Sequence, residues 1–181
     1  LVIPNTYNDL LVTSIGDKAF KDYTLVPTKT FDITKNVKEY IDNKKIYSYD
    51  QIYVTDLCLE ESLLSKINND SLLREKILNL DHHKTFDKEE YTRYPFVKVT
   101  IKNEDGLCSG TSLFYEYLLN NDLIDKDNLT IKEFVELTRQ HDTWEWKNIY
   151  NNEKARELAI LFDILGCDSY IDNMTLKLLS N

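Results

Sequence analysis

The chain has 181 residues, 42% of them hydrophobic, enough to bury one good core, and we expect a single domain over residues 1–181. Its 22 basic and 31 acidic side chains leave a net charge of −9, which repels a polyanionic backbone and argues against an extended surface for duplex DNA or RNA. A small phosphorylated substrate is not excluded, because bound cations reverse the sign of an acidic cleft locally. The cysteines Cys58, Cys108 and Cys167 are odd in number and have no CxxC spacing, so neither a disulfide framework nor a zinc knuckle is expected. They read as buried thiols of a reducing cytoplasm. No stretch approaches the ~20 apolar residues needed to span a bilayer, and the N-terminus lacks the pattern of a signal peptide. The sequence begins at Leu1 rather than Met, as expected of a trimmed chain or a piece of a longer one.

In chain order, the run YTLVPT from Tyr23 to Thr28 predicts a strand. Asp32 or Thr34 then caps an amphipathic helix through Val37, Tyr40 and Ile41. Gln51 to Thr55 is a short β-branched and aromatic run ending at Asp56, and ESLLSKI returns to helical spacing. A third apolar run, Ile77 to Leu80, ends at Asp81. Phe96 to Ile101 alternates like a strand with one wetter face, closed by the turn Glu104-Asp105-Gly106. Beyond Gly110 the pattern is helical: SLFYEYLL, then IKEFVELTRQ with Thr130 and Glu133 spaced as a capping box, then NEKARELAILFDIL with Gly166 as its stop. Strands alternating with helices predict an α/β fold in three layers, a mainly parallel sheet with helices on both faces and a helical C-terminal part. Four glycines leave no GxGxxG or Walker pattern, which disfavours nucleotide binding of those classes.

Of three histidines, His82 and His83 follow the third strand and His141 precedes Asp142. Asp56 and Asp81 each follow an apolar strand, and in a parallel sheet such residues emerge together at the carboxyl edge, where ligands bind. Either aspartate alone is adequately explained as the cap of a following helix. Two histidines behind an aspartate at a strand end are costly to place without partners, which favours a functional reading of LNLDHHKT as a unit. Carboxylates and imidazoles without thiolates suit Mn²⁺, or Mg²⁺, better than structural zinc.

Four segments, YVTDL, LDHHKT, SGTSLFYEYL and TRQHDTWEW, in this order between Tyr53 and Trp146, resemble the DHH phosphoesterases, and within them the short-oligoribonucleotide nucleases. The resemblance implies a hydrolase acting through water activated by ideally two ions. It assigns Asp56, His82 and Asp142 as metal ligands, His83 as the residue that contacts the scissile phosphate, and Asp81 as the carboxylate that orients an imidazole. Lys84 and Arg139 are candidate phosphate contacts, although such residues are more often surface charges. Ser109 and Thr111 are further candidates, which helix capping explains equally well. Trp144 and Trp146 are candidate base-stacking residues, packing being the plainer explanation for at least one.

The sequence departs from the family at its first motif, a histidine with two alternating aspartates. The nearest segment, Tyr7-Asn8-Asp9-Leu10-Leu11, supplies only Asp9 as a metal ligand. The additional C-terminal substrate domain of these nucleases is also absent from the 181 residues. The expected partner is a small nucleotide or short single-stranded RNA, without duplex nucleic acid or membrane and with a homodimer compatible. The alternative is a catalytically impaired DHH-like module that binds nucleotide or mediates interactions; a pyrophosphatase is a remoter one.

Overall fold

The computed structural model describes residues 32–166 continuously, the backbone of 2–5 and 10–13, and residues 26, 28, 169, 170, 172 and 173. Strands β1 (Val2–Asn5) and β2 (Leu10–Thr13) pair antiparallel. Asp9 and most of the strand expected over 23–28 lie outside the described residues. From there the order is α1 (Ile33–Asp42), β3 (Ile52–Thr55), α2 (Glu61–Asn68), α3 (Ser71–Lys76), β4 (Ile77–Asp81), α4 (Glu89–Thr92), β5 (Val97–Val99), β6 (Lys102–Asn103), β7 (Gly106–Leu107), α5 (Gly110–Asn120), α6 (Leu129–Asp142) and α7 (Glu153–Leu165).

The centre is a parallel sheet of order β3-β4-β5, flanked by helices as expected. Its register follows from the two-residue period of a strand. Ile52 pairs with Ile77, and Val54 with Asn79, which pairs in turn with Val97. Ile52, Val54, Ile77 and Val97 join one core with Val37 and Ile41 of α1, Leu63, Leu64 and Ile67 of α2, and Leu73 of α3. Tyr53, Leu78 and Leu80 point the other way and pack under α5, with Leu113, Phe114 and Leu118. The Tyr53 and Phe114 rings lie 4.9 Å apart. A third apolar cluster joins α6 to α7 through Ile131, Phe134, Val135 and Phe162.

Two boundaries differ from the sequence reading, and a third keeps its residue without the capping bond. β5 is shorter than 96–101: β4 ends at Asp81, and after Thr100 N–H donates to Asp81 O (2.9 Å) no strand remains to pair with. The chain turns instead into the separate ribbon β6–β7. The cap of α6 is Asn128, whose Oδ1 accepts from Ile131 N–H at 3.0 Å, and Thr130 lies inside the helix. At α1, Asp32 is the capping position but makes no side-chain cap, and Thr34 Oγ1 accepts from Glu60 N–H, tying α1 to the start of α2. Gly166 ends α7 with φ 72°, a left-handed value that glycine adopts without strain.

Candidate metal centre

The carboxyl ends of β3 and β4 lie side by side, so Asp56, Asp81, His82 and His83 share one edge of the sheet. Asp56 is held from three directions. Its N–H donates to Leu80 O at 2.9 Å. The buried Asn79 side chain donates to Leu57 O (2.7 Å) and Val54 O (3.4 Å) and accepts from Leu59 N–H (3.2 Å), bracketing the chain on both sides of it. From above, Gly110 at the start of α5 approaches so closely that a Cβ there would sit 2.5 Å from Asp56 Cβ and 2.9 Å from its Cα. Asp56 adopts φ 65°, left-handed for a residue with a side chain, as aspartate does more readily than most.

His82 Nε2 lies 2.8 Å from Asp56 Oδ1 and 3.2 Å from Asp142 Oδ2, the latter carried on the last turn of α6. None of these contacts is aligned as a hydrogen bond: Asp56 Oδ1, His82 Nε2 and both oxygens of Asp142 are buried atoms without a partner. Such atoms are costly unless something completes them. Ligand atoms of Asp56, His82 and His83 lie within 4.8 Å of one another, so these three side chains form a group able to hold a cation. The cluster contains oxygen and nitrogen donors and no cysteine, and its orphaned atoms converge; the residues present fit a cation.

Electrostatics point the same way. Burial pulls the His82 imidazole down, but the adjoining Asp56 carboxylate and the charges of Asp142 and Asp81 outweigh it and push it up to about 9. Burial, followed by the charge of Asp56, raises the Asp142 carboxyl. The His82 shift reflects the carboxylates gathered around it, and the Asp142 shift reflects first its burial and only then the neighbouring Asp56. Asp81, fully buried, accepts from His82 N–H (2.8 Å), His83 N–H (3.3 Å) and His83 Nδ1 (2.8 Å). A carboxylate only accepts, so Nδ1 of His83 carries the proton and Nε2 is left free to face solvent or ligand. That bond raises the His83 imidazole, with burial opposing.

The remaining sequence candidates differ in their settings. Lys84 is exposed. Ser109 caps α5, accepting from Ser112 N–H at 3.1 Å while Ser112 Oγ accepts from Ser109 N–H at 2.9 Å. Thr111 Oγ1, on the first turn, is buried without a partner, as is Thr55 Oγ1. Arg139 is buried rather than a surface charge, committed to Glu136, Glu145 and Leu107 O. Trp144 is 60% exposed with φ 62°, whereas Trp146 is buried and stacks on His141 with centroids 6.1 Å apart. Burial lowers the His141 imidazole. Sequence reasoning missed Asn79 and Glu145, and it weighed Gly110 only as an opener of α5, not for its close approach to Asp56; the one available signal for Asn79 was a polar residue inside the apolar run that ends at Asp81.

The fold and this edge of aspartates and histidines define an α/β protein of the DHH type. Oligoribonuclease NrnB of Bacillus subtilis (strain 168) is 35% identical to the chain over 130 residues, covering 71% of this chain and 32% of NrnB. The chain thus spans about a third of the length of that relative. No protein-family model matches the sequence, and no solved structure matches it. The relationship is a DHH-family one, and within that family it is nanoRNase-like. Among the described residues no helix is long and apolar enough to cross a membrane.

Proposed function

We propose that the chain carries the catalytic site of a metal-dependent phosphoesterase that hydrolyses short oligoribonucleotides or small nucleotides. The supporting observation is the convergence of buried, unpartnered donor atoms from Asp56, His82 and Asp142 beside a histidine, His83, whose other ring nitrogen is fixed by Asp81. In this reading Asp56, His82 and Asp142 hold the ion, Mn²⁺ being preferred and Mg²⁺ next, with Asp9 contributing to a second position. When bound, the cation supplies Lewis-acid chemistry, activating water and offsetting charge on the phosphate.

The chain's own residues do the rest. His83, its side chain 42% exposed, turns Nε2 outward while Asp81 holds Nδ1–H and favours the imidazolium, and in that protonated form Nε2 donates to a phosphate oxygen or the leaving oxygen. The net reaction adds water across one P–O bond, leaving phosphate on one product and hydroxyl on the other. Thr111 and Ser109 open α5 beside Asp56, but the Thr111 hydroxyl is buried and the Ser109 hydroxyl is engaged in the cap, so a phosphate there would meet the first turn of α5 rather than these side chains. Lys84 adds an exposed positive charge next to the triplet, and Trp144 offers a ring face to a base. Arg139 acts indirectly, through the helix that carries Asp142. The free, buried thiols of Cys58 and Cys108 agree with a reducing cytoplasm.

The test is release of mononucleotide from a labelled dinucleotide in the presence of Mn²⁺. Activity is expected for the chain and is expected to vanish in Asp56→Ala and His83→Ala. Undiminished activity in either variant overturns the reading, and Mn²⁺ binding without hydrolysis would reduce it to a nucleotide-binding module.

A further inference from the structure

We infer that Asn79 is a positioning residue for the metal centre: its buried side-chain amide holds Asp56 in the left-handed conformation that turns the carboxylate toward His82. The inference rests on the metal reading above and adds a residue to it that touches neither ion nor substrate.

Asn79 lies in the middle of β4, where the register would place another aliphatic side chain on the face formed by Ile52, Val54, Ile77 and Val97. A fully buried amide in that position is unfavourable unless its polar atoms are used. They are. Nδ2 donates to Val54 O, two residues before Asp56, and to Leu57 O, one residue after it; Oδ1 accepts from Leu59 N–H. One side chain therefore supplies the bonds that a continuing strand would have made, and does so around a chain reversal centred on Asp56. The reversal needs that help. Asp56 sits at φ 65°, a conformation that persists in a residue with a side chain where its surroundings determine it. On the opposite side stands Gly110, which leaves no room for Asp56 to move toward α5. Asn79 from below and Gly110 from above fix the peptide, and the carboxylate follows at 2.8 Å from His82 Nε2. Removing the amide lets Asp56 relax to an ordinary φ and carries its carboxylate away from His82 and Asp142.

The experiment compares Asn79→Leu, which keeps the volume and removes the bonds, with Leu73→Ala, a cavity in the same core on α3, a helix that carries none of the site residues. Calorimetric titration with Mn²⁺, run well below each variant's Tm, is expected to show a Kd weakened about 10- to 100-fold in Asn79→Leu, the range for residues that orient ligands. Gly110→Ala, pressing on Asp56 from the other side, is expected to weaken Mn²⁺ similarly. Leu73→Ala should lower Tm yet keep the wild-type Kd. A wild-type Kd in Asn79→Leu, or an equal loss in Leu73→Ala, overturns the inference. If Asn79→Leu does not fold, Asn79→Asp takes its place, keeping the acceptor for Leu59 N–H and losing both donors. Crystal structures of the metal-free proteins separate this inference from the metal reading itself. Asp56 is expected to leave the left-handed region in the Asn79 variant, and its staying there refutes the role. Absence of Mn²⁺ binding by the wild type would instead remove the proposed function and leave this backbone result to decide on Asn79.

Discussion

Two buried, charged regions sit three residues apart on the last turn of α6 and follow opposite rules. Around Arg139 every charge has a protein partner: Nε and Nη2 donate to the Glu136 carboxylate at 2.8 and 2.7 Å, and Nη1 donates to Glu145 and to Leu107 O. Gln140 extends the network to Glu136 and Asn152. Around Asp142, by contrast, Asp56, His82 and Asp142 crowd together without one aligned hydrogen bond among the atoms that face each other. A buried charge that the protein balances itself ties elements together, here α6 to the β6–β7 ribbon. A buried charge left unbalanced in a neighbouring turn is destabilising in the free protein and marks where something from outside completes the structure.

The contrast is open to breakage from either side. The largest effect is expected from Arg139→Ala, which strands the Glu145 carboxylate, its side chain only 8% exposed, and costs roughly 3–5 kcal/mol of unfolding free energy in a denaturant titration. Next is the ion: Mn²⁺ at a hundredfold excess over its Kd should stabilise the wild type by about 2.7 kcal/mol, read as a rise in Tm that a chelator reverses. No rise would remove the claim that the pocket awaits a cation. Smaller, and of opposite sign to the first, is Asp142→Asn. Removing one of the two carboxylates crowded around His82, the one already raised by burial and by Asp56, should stabilise the metal-free protein by about 0.5–2 kcal/mol while abolishing the Mn²⁺ shift. A destabilised metal-free Asp142→Asn protein would mean that the pocket is as self-sufficient as the Arg139 network.

Much of this edge was legible in the sequence because it is local. Asp56 and the Asp81-His82-His83 triplet end short apolar strands, and the two-residue period with parallel pairing brings such ends together whatever lies between them. The three-layer arrangement was legible for the same reason, since Ile52 and Val54 alternate with Tyr53 toward different helices. The long-range polar contacts were not. Arg139 reads as a surface cation because nothing in its helix reveals that Glu145 and the Leu107 carbonyl fold back onto it. Asn79 reads as a blemish in an apolar run because its partners lie in β3 and the loop that follows it, twenty or more positions away. The cap of α6 was misplaced by two residues, since Asn128 and Thr130 both satisfy the local rule and only the observed bond to Ile131 decides.

The smallest effect sharpens the comparison inside the Arg139 network itself. Its two carboxylates differ in burial: the Glu136 side chain is 46% exposed and Glu145 is 8% exposed. Burial raises the Glu136 carboxyl, but the bonds from Arg139 and Gln140 outweigh it and hold the group below the ordinary glutamate range. A carboxyl lowered on folding stabilises above its unfolded range, and that contribution is lost as the pH falls through its folded value. Solvent screening keeps it small, and Glu136→Gln is expected to cost less than about 1 kcal/mol at neutral pH, with the difference from wild type shrinking further in acid. Glu145→Gln, made in the buried half of the same network, should cost several times more because Arg139 then keeps a buried charge with one partner fewer. Equal losses in the two variants, measured by denaturant titration at neutral pH, would show that Arg139 draws its stability from the rim of the network and not from the ion pair beneath it.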